Sequence, residues 1–291
     1  MNAKLKNLAP PSNNAEAPVL GLIAGQGRLP FLVAAGARRA GLRVVCIGLA
    51  DSAEPELADC VDDFFYGAIA RPGGWMRKLR RRGVTHAIMV GRVAKTRIYT
   101  PWRIVKYLPD WRAFRIWYVR LRGKDKRNDS VLNAIADEFA SGGILLEDST
   151  MYCKDHMATQ GVLTRTQPSA SARADIEFGW PMVLEIGRMD IGQAIAVRER
   201  EIIAVEAIEG TAEMIQRAGL LCKKGGWTLL KAAKPNQDMR FDVPCVGPDT
   251  LESLKRCGAA CLAVEKDKTI IIDKPDTLAL ADKLGIAVIG V

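Results

Sequence analysis

The sequence predicts an α/β protein built from two α/β domains. Three observations carry that expectation. Short apolar runs alternate with stretches of helical period through the first half of the chain. A polar stretch at 160–175 then breaks the alternation, and a second series of strands and helices follows. At 291 residues the chain is also too long for one small core.

Taken in order, VLGLIAG at 19–25 reads as a buried strand, and 29–40 as a helix with Pro30 in its first turn. RVVCIGLA at 43–50 is a second strand, 75–82 a basic helix, and THAIMVGRV at 85–93 a third strand. Residues 129–141 predict a helix, because Val131, Leu132, Ile135, Ala136 and Phe139 keep its spacing and Gly142-Gly143 stop it. GILLED at 143–148 is a fourth strand. This order implies a parallel, Rossmann-like sheet over 17–159. Residues 160–175 read as a linker. A second α/β domain over 176–291 has strands near 194–197, 202–207, 228–232, 261–264 and 269–273, with helices near 211–217, 248–257 and 275–284. Residues 1–16 lack an apolar core behind their charges, so a disordered extension is expected rather than a signal peptide.

Composition excludes several classes. Hydrophobic content of 48% and charged content of 26% are globular values, and no apolar run is long enough to span a membrane. Seven scattered cysteines without a C-x-x-C pair argue against a disulfide framework and fit a reducing cytoplasm. The two histidines, His86 and His156, do not sit at zinc-ligand spacing. A metal, if used, is therefore a hard cation held by oxygens, Mg²⁺ or Mn²⁺. The net charge is +9, and eleven basic against two acidic residues between Lys95 and Arg127 account for all of it.

Several constellations suit a ligand. The loop Gly25-Gln26-Gly27-Arg28-Leu29-Pro30 joins a strand to a helix, so its backbone N–H groups can cradle a phosphate. Pro30 replaces the last glycine of a dinucleotide fingerprint, and a plain tight turn accounts for the loop about equally well. Asp51 ends the next strand, where a ribose-binding acid would sit. Gly91-Arg92 closes a strand at the carboxyl edge of the expected sheet, and Arg92 suits a phosphate or a uracil carbonyl. Between Tyr99 and Tyr118, seven aromatics alternate with basic residues. That mixture fits nucleic acid, a membrane surface, or a core-facing helix with a solvated basic face. Trp111, Phe114 and Tyr118 lie at helical spacing, with Arg112, Arg115 and Arg120 as the charges that would meet an anionic surface.

The second half gathers carboxylates and glycines at strand ends. EIGRMDIGQ at 185–193 sets Asp190, Gly192 and Gln193 in a turn before a strand. VEAIEGTAEMI at 205–215 runs a strand into Glu209-Gly210-Thr211, where Thr211 suits a helix cap. Residues 231–250 form a long polar loop carrying Lys234, Gln237, Asp238, Arg240, Asp242, Pro244, Gly247 and Asp249. Phe241 and Val243 frame Asp242 and are expected to desolvate it in part.

Together these stretches resemble the LpxI family. GLIAGQGRLP is similar to its opening glycine loop, and GRMDIGQ, VEAIEGT and KPNQDMRFDVPCVGP to its C-terminal signature, in the same order. The segment 124–132 resembles the family's Gly-Asp-Asp helix start, but Asn128 stands where the family has the first acid, leaving Asp129. The resemblance implies two α/β domains with an active site in the cleft between them. It implies Mg²⁺-assisted hydrolysis of UDP-2,3-diacylglucosamine to UMP and 2,3-diacylglucosamine 1-phosphate in lipid A biosynthesis. Asp242 takes the position of the family's central aspartate. Asp190 is expected to share the metal, with Glu209 and Asp238 beside them. Gly25, Gln26, Gly27, Gly91, Arg92, Asp129, Gln193, Thr211, Lys234, Gln237 and Arg240 are the expected substrate contacts. The expected setting is cytoplasmic and peripheral to the inner membrane, near which the aromatic stretch would lie, with no nucleic-acid partner and with room for a homodimer.

Overall fold

A computed structural model describes residues 17–93, 109–122, 128–235 and 237–291. The expected extension at 1–16 and the first part of the aromatic stretch, 94–108, lie outside the described residues. The protein is mixed α/β and divides into two compact units: residues up to Cys153 together with Asp238–Phe241, and Lys154–Gln237 together with Asp242–Val291.

The first unit contains β1 (Val19–Ala24), α1 (Leu29–Arg39), β2 (Arg43–Leu49), β3 (Asp63–Gly67), α2 (Pro72–Arg80), β4 (His86–Val90), α3 (Trp111–Arg115), α4 (Asn128–Ser141) and β5 (Leu145–Leu146). Its five strands are all parallel, in the order β3-β2-β1-β4-β5. The continuous apolar runs of β1 and β2 suit inner strands buried on both faces. Trp75, Met76, Leu79 and Phe139 from α2 and α4 pack with Ile23, Val45 and Ile47 of the sheet in one core. The strand order reverses between β1 and β4, so the loops that follow these two strands meet at the carboxyl edge.

The run after Asp110 is helical as its spacing predicts, but its orientation differs from a core-facing aromatic helix. It is α-helical over Trp111–Arg115 and continues as a π-helix over Ile116–Arg120. The small and aliphatic residues Ala113, Ile116 and Leu121 are the ones buried, while Trp111, Phe114, Trp117 and Tyr118 are exposed. Its arginines are not free surface charges either. Glu138 of α4 is 0% exposed and lies 2.5 Å from Arg112, 2.8 Å from Arg120 and 3.6 Å from Arg115. Burial alone would raise the Glu138 carboxyl, but the hydrogen bonds from Arg120 and Arg112 outweigh it and hold it below the usual range.

The second unit contains β6 (Gly161–Val162), α5 (Ala170–Arg188), β7 (Ala194–Arg198), β8 (Glu201–Val205), α6 (Thr211–Leu221), β9 (Trp227–Lys231), β10 (Cys245–Val246), α7 (Pro248–Arg256), β11 (Ala259–Val264), β12 (Ile270–Ile271), α8 (Lys274–Leu284) and β13 (Ala287–Gly290). Its six-stranded sheet has the order β6-β13-β11-β9-β7-β8. The three middle strands β13, β11 and β9 are parallel, whereas β7 and β6 run against their neighbours. The stretch expected as a linker is structured: it carries β6 and the start of α5. Ser169 caps α5 by accepting from the Ala172 N–H at 3.1 Å. Among the described residues, no helix is long and apolar enough to cross a membrane.

Candidate functional site

The glycine loop of the first unit is a backbone clasp. The Gly25 N–H donates to the Val90 carbonyl, and Gln26 and Arg92 exchange both backbone hydrogen bonds, at 2.8 and 2.9 Å. A Cβ on Gly25 would lie 2.6 Å from the Arg92 carbonyl oxygen, and one on Gly91 only 2.7 Å from the Gly25 carbonyl carbon. Glycine is therefore required at both positions for the two loops to touch. The N–H groups of Gly25 and Gln26, expected to cradle a phosphate, are spent on β4 and its loop. The side chains of Gln26 and Arg92 remain exposed at this edge, beside Gly27 in a left-handed conformation.

The carboxyl edge of the second sheet is arranged differently. Glu206 follows β8, Lys231 ends β9 and Thr211 opens α6. The Lys231 Nζ donates to the Thr211 hydroxyl at 3.3 Å and to the Cys245 carbonyl at 3.2 Å. That hydroxyl donates in turn to Glu206 Oε1 at 2.9 Å. Glu206 and Lys231 are only 5% and 6% exposed. Gly210, not Thr211, is the N-cap of α6, so the Thr211 side chain is available to this chain of donors. Nearby, Asp190 holds a left-handed backbone and pairs with Lys234 at 2.5 Å, while the Lys234 N–H donates to the Gln237 side chain at 2.9 Å. Among the described residues of this unit six buried side-chain polar atoms have no hydrogen-bond partner, and three of them, Gln193 Oε1, Glu206 Oε2 and Gln237 Nε2, belong to the segments expected to form the site. Each such atom costs on the order of 1–3 kcal/mol. Gln193 precedes β7 and Glu206 follows β8, so two of the three lie at this sheet edge and the third in the loop after β9.

The predicted residues thus fall into separate groups. Asp190, Lys234 and Gln237 come together, as do Thr211 and the edge of β9. Asp238 and Arg240 belong to the first unit. They form an ion pair at 2.6 Å, with Arg240 also donating to the Asn133 side chain at 2.9 Å. The Arg240 guanidinium holds the Asp238 carboxyl below the usual carboxylate range. Glu209 is exposed and paired with Arg217. Asp242 is exposed as well, so Phe241 and Val243 do not desolvate it; Phe241 packs instead against the core of the first unit. The Asp129 side chain lies outside the described residues. The sequence reading missed Glu206 and Lys231. The available signal was a charged residue closing each of two apolar strands, VEA after β8 and WTLLK in β9.

Among the described residues, no three His, Cys, Asp or Glu gather as a ligand set. Mg²⁺ commonly takes only one or two carboxylates and completes its shell with water and substrate phosphates. Asp242 fits that role, since its carboxylate is exposed, whereas Asp190, Glu209 and Asp238 are each paired with a basic side chain.

Comparison with known proteins covers nearly the whole chain. The family model described as the LpxI N-terminal domain matches residues 19–156, and that of the LpxI C-terminal domain matches 159–289. The UDP-2,3-diacylglucosamine pyrophosphatase LpxI of Caulobacter vibrioides is 31% identical over 282 residues, covering 94% of this chain and 97% of that protein. With both domains matched in order and a relative aligned from end to end, the chain belongs to the LpxI family.

Proposed function

We propose that the protein hydrolyses the pyrophosphate of UDP-2,3-diacylglucosamine, releasing UMP and 2,3-diacylglucosamine 1-phosphate for lipid A synthesis. The observation that carries this reading is the end-to-end match to a protein named for that activity. In the proposed reaction a water oxygen bonds to the β-phosphorus, the bond from that phosphorus to the bridging oxygen breaks, and UMP leaves with the bridging oxygen. The water proton passes to a nearby carboxylate or to solvent.

Asp242 is the carboxylate assigned to this step, as the residue that orients the water and holds a divalent cation. Mg²⁺ or Mn²⁺ bound there supplies neutralisation of the pyrophosphate charge. Lys231 and Lys234 bring positive charge to the same unit, and Thr211 and Gln193 offer hydrogen bonds to phosphate or sugar oxygens. Glu206 keeps the Thr211 hydroxyl oriented. The substrate carries two acyl chains, so the reaction takes place at the cytoplasmic face of the inner membrane.

The test is incubation of the full chain with UDP-2,3-diacylglucosamine and Mg²⁺ in ¹⁸O-labelled water. UMP should appear, with the label in the sugar phosphate. EDTA should stop turnover, and Mg²⁺ or Mn²⁺ should restore it. Absence of UMP would overturn the reaction, label in UMP would overturn attack at the β-phosphorus, and full turnover in chelator would overturn the metal requirement.

A further inference from the structure

The helical run Trp111–Arg120 has a face that folding does not explain. Its inner side is settled, with Ile116 and Leu121 packed on Ala134 and Glu138 gathering the three arginines of the run. Its outer side exposes Trp111 at 69% and Tyr118 at 65%, together with Phe114, Trp117 and Val119. The rings form a ladder: Trp111 stacks on Phe114 with centroids 5.3 Å apart, and Phe114 on Tyr118 at 4.5 Å. Isolated exposed apolar side chains are ordinary, but a contiguous patch marks an interaction surface.

A groove of about 620 Å³ opens beside this ladder, and Trp111 belongs to both. Arg77, Arg80, Arg81 and Arg112 line it. Arg112 is bound to Glu138, but Arg77, Arg80 and Arg81 are exposed and make no ion pair among the described residues. The acid in the same groove, Asp110, is bound to backbone and makes no ion pair with them among the described residues. Its carboxylate accepts from the N–H groups of Gly73 at 2.7 Å, Gly74 at 3.3 Å and Ala113 at 2.9 Å.

We infer that this face docks the protein on an anionic phospholipid surface. The aromatic ladder and Val119 enter the headgroup layer, and Arg77, Arg80 and Arg81 meet lipid phosphates. Aromatics beside unpaired arginines also suit nucleic acid, but Phe114 already stacks with both Trp111 and Tyr118, which takes its ring from a base. Val119 and Trp117 add apolar surface that serves a bilayer and not a phosphate backbone. This inference rests on the described surface and not on the proposed reaction, so it stands or falls separately.

The experiment is co-sedimentation of the full chain with vesicles of phosphatidylcholine, with and without phosphatidylglycerol. Binding should require phosphatidylglycerol, weaken with salt and shift tryptophan emission to the blue. The reversal Arg77→Glu, Arg80→Glu, Arg81→Glu should weaken binding at least ~10-fold, as should Trp117→Ser with Tyr118→Ser. Melting curves report whether each variant is folded, and the two sets alter different elements, so one misfolded set leaves the other decisive. Binding that survives in the folded variants overturns the inference. So does a lack of vesicle binding, whether the same changes abolish retention on a single-stranded oligonucleotide or dissolve a dimer in sedimentation.

Discussion

The two sheets present the same kind of edge, the carboxyl ends of parallel strands, and use it in opposite ways. In the first unit the loops after β1 and β4 close on each other through Gly25, Gln26, Gly91 and Arg92, and their backbone donors are satisfied within the protein. In the second unit the edge keeps Glu206 and Lys231 buried, with carboxylate and amide oxygens that lack partners. Folding alone favours the first arrangement, because an unpaired buried polar atom is a net cost. A sheet edge that bears that cost at Gln193 and Glu206 is a better candidate for the chemistry than one whose Gly25 and Gln26 donors bond within the protein.

The sharpest test of the contrast is Asp242→Ala. Turnover should fall by at least ~10²-fold and up to ~10⁴-fold with melting temperature and substrate affinity little changed, and Asp242→Asn should fail nearly as badly if charge is what matters. A folded variant with near-normal turnover would remove Asp242 from the reaction. Next in size, Glu206→Gln keeps the shape of the carboxylate and loses its charge. It should lower kcat/KM by roughly 10- to 100-fold, the scale of a hydrogen bond to a charged group. If only the melting temperature moves, the buried chain of Lys231, Thr211 and Glu206 is structural and the two edges are alike.

Gly25→Ala probes the closed edge. Its Cβ would meet the Arg92 carbonyl at 2.6 Å, so it should cost about 1–3 kcal/mol of stability, read as a lower melting transition. Gly27→Ala, where nothing lies within 4 Å, meets no such clash and carries only the strain of its φ of +106°. Equal effects of the two would show that the clasp is not what demands glycine. The smallest effect concerns acid. Asp238 has its folded pKa depressed by Arg240, so its contribution is complete above the unfolded value of about 3.9 and is lost as the pH falls through the lower folded value. Acid unfolding of Asp238→Asn should therefore be less steep in that window. An unchanged acid limb would place the pair's contribution near zero.

Strands and helices with strong periodicity were legible: the buried runs of β1, β2, β4, β7, β9 and β11 and the spacing of α1, α4 and α6 all appear within a few residues of their expected bounds. Other elements carry weak local signals. Strand β3 is a short aromatic run, β6, β10 and β12 have two residues each, and α5 contains Pro181, which argues locally against a helix. The helix exists because Phe178, Met182, Val183 and Ile186 pack against the second sheet, a reason that is tertiary. The candidate edge was legible by segment, since Gln193, Glu206, Thr211 and Lys231 fall in GRMDIGQ, VEAIEGT and the loop of 231–250. Which acid in each segment turns inward was not. Glu206 and Glu209 are three residues apart, and only the course of the chain after β8 buries the first and leaves the second to Arg217.

The first unit is completed late in synthesis, because Asp238–Phe241 belong to it. Ser149 is bound through both its N–H and its hydroxyl to the carbonyl of Met239, 90 residues further along the chain. Arg240 reaches Asn133, and Phe241 joins the first core. A nascent chain that has emerged through Cys153 therefore still lacks pieces of its first unit. At ~5–20 residues per second the ribosome supplies them roughly 4–18 s later, after most of the second unit has been made. Until then the first unit waits on its neighbour's translation, so a slow codon between positions 153 and 241 would prolong the interval in which Asn133, Ser149 and the apolar surface under Phe241 stay unpaired.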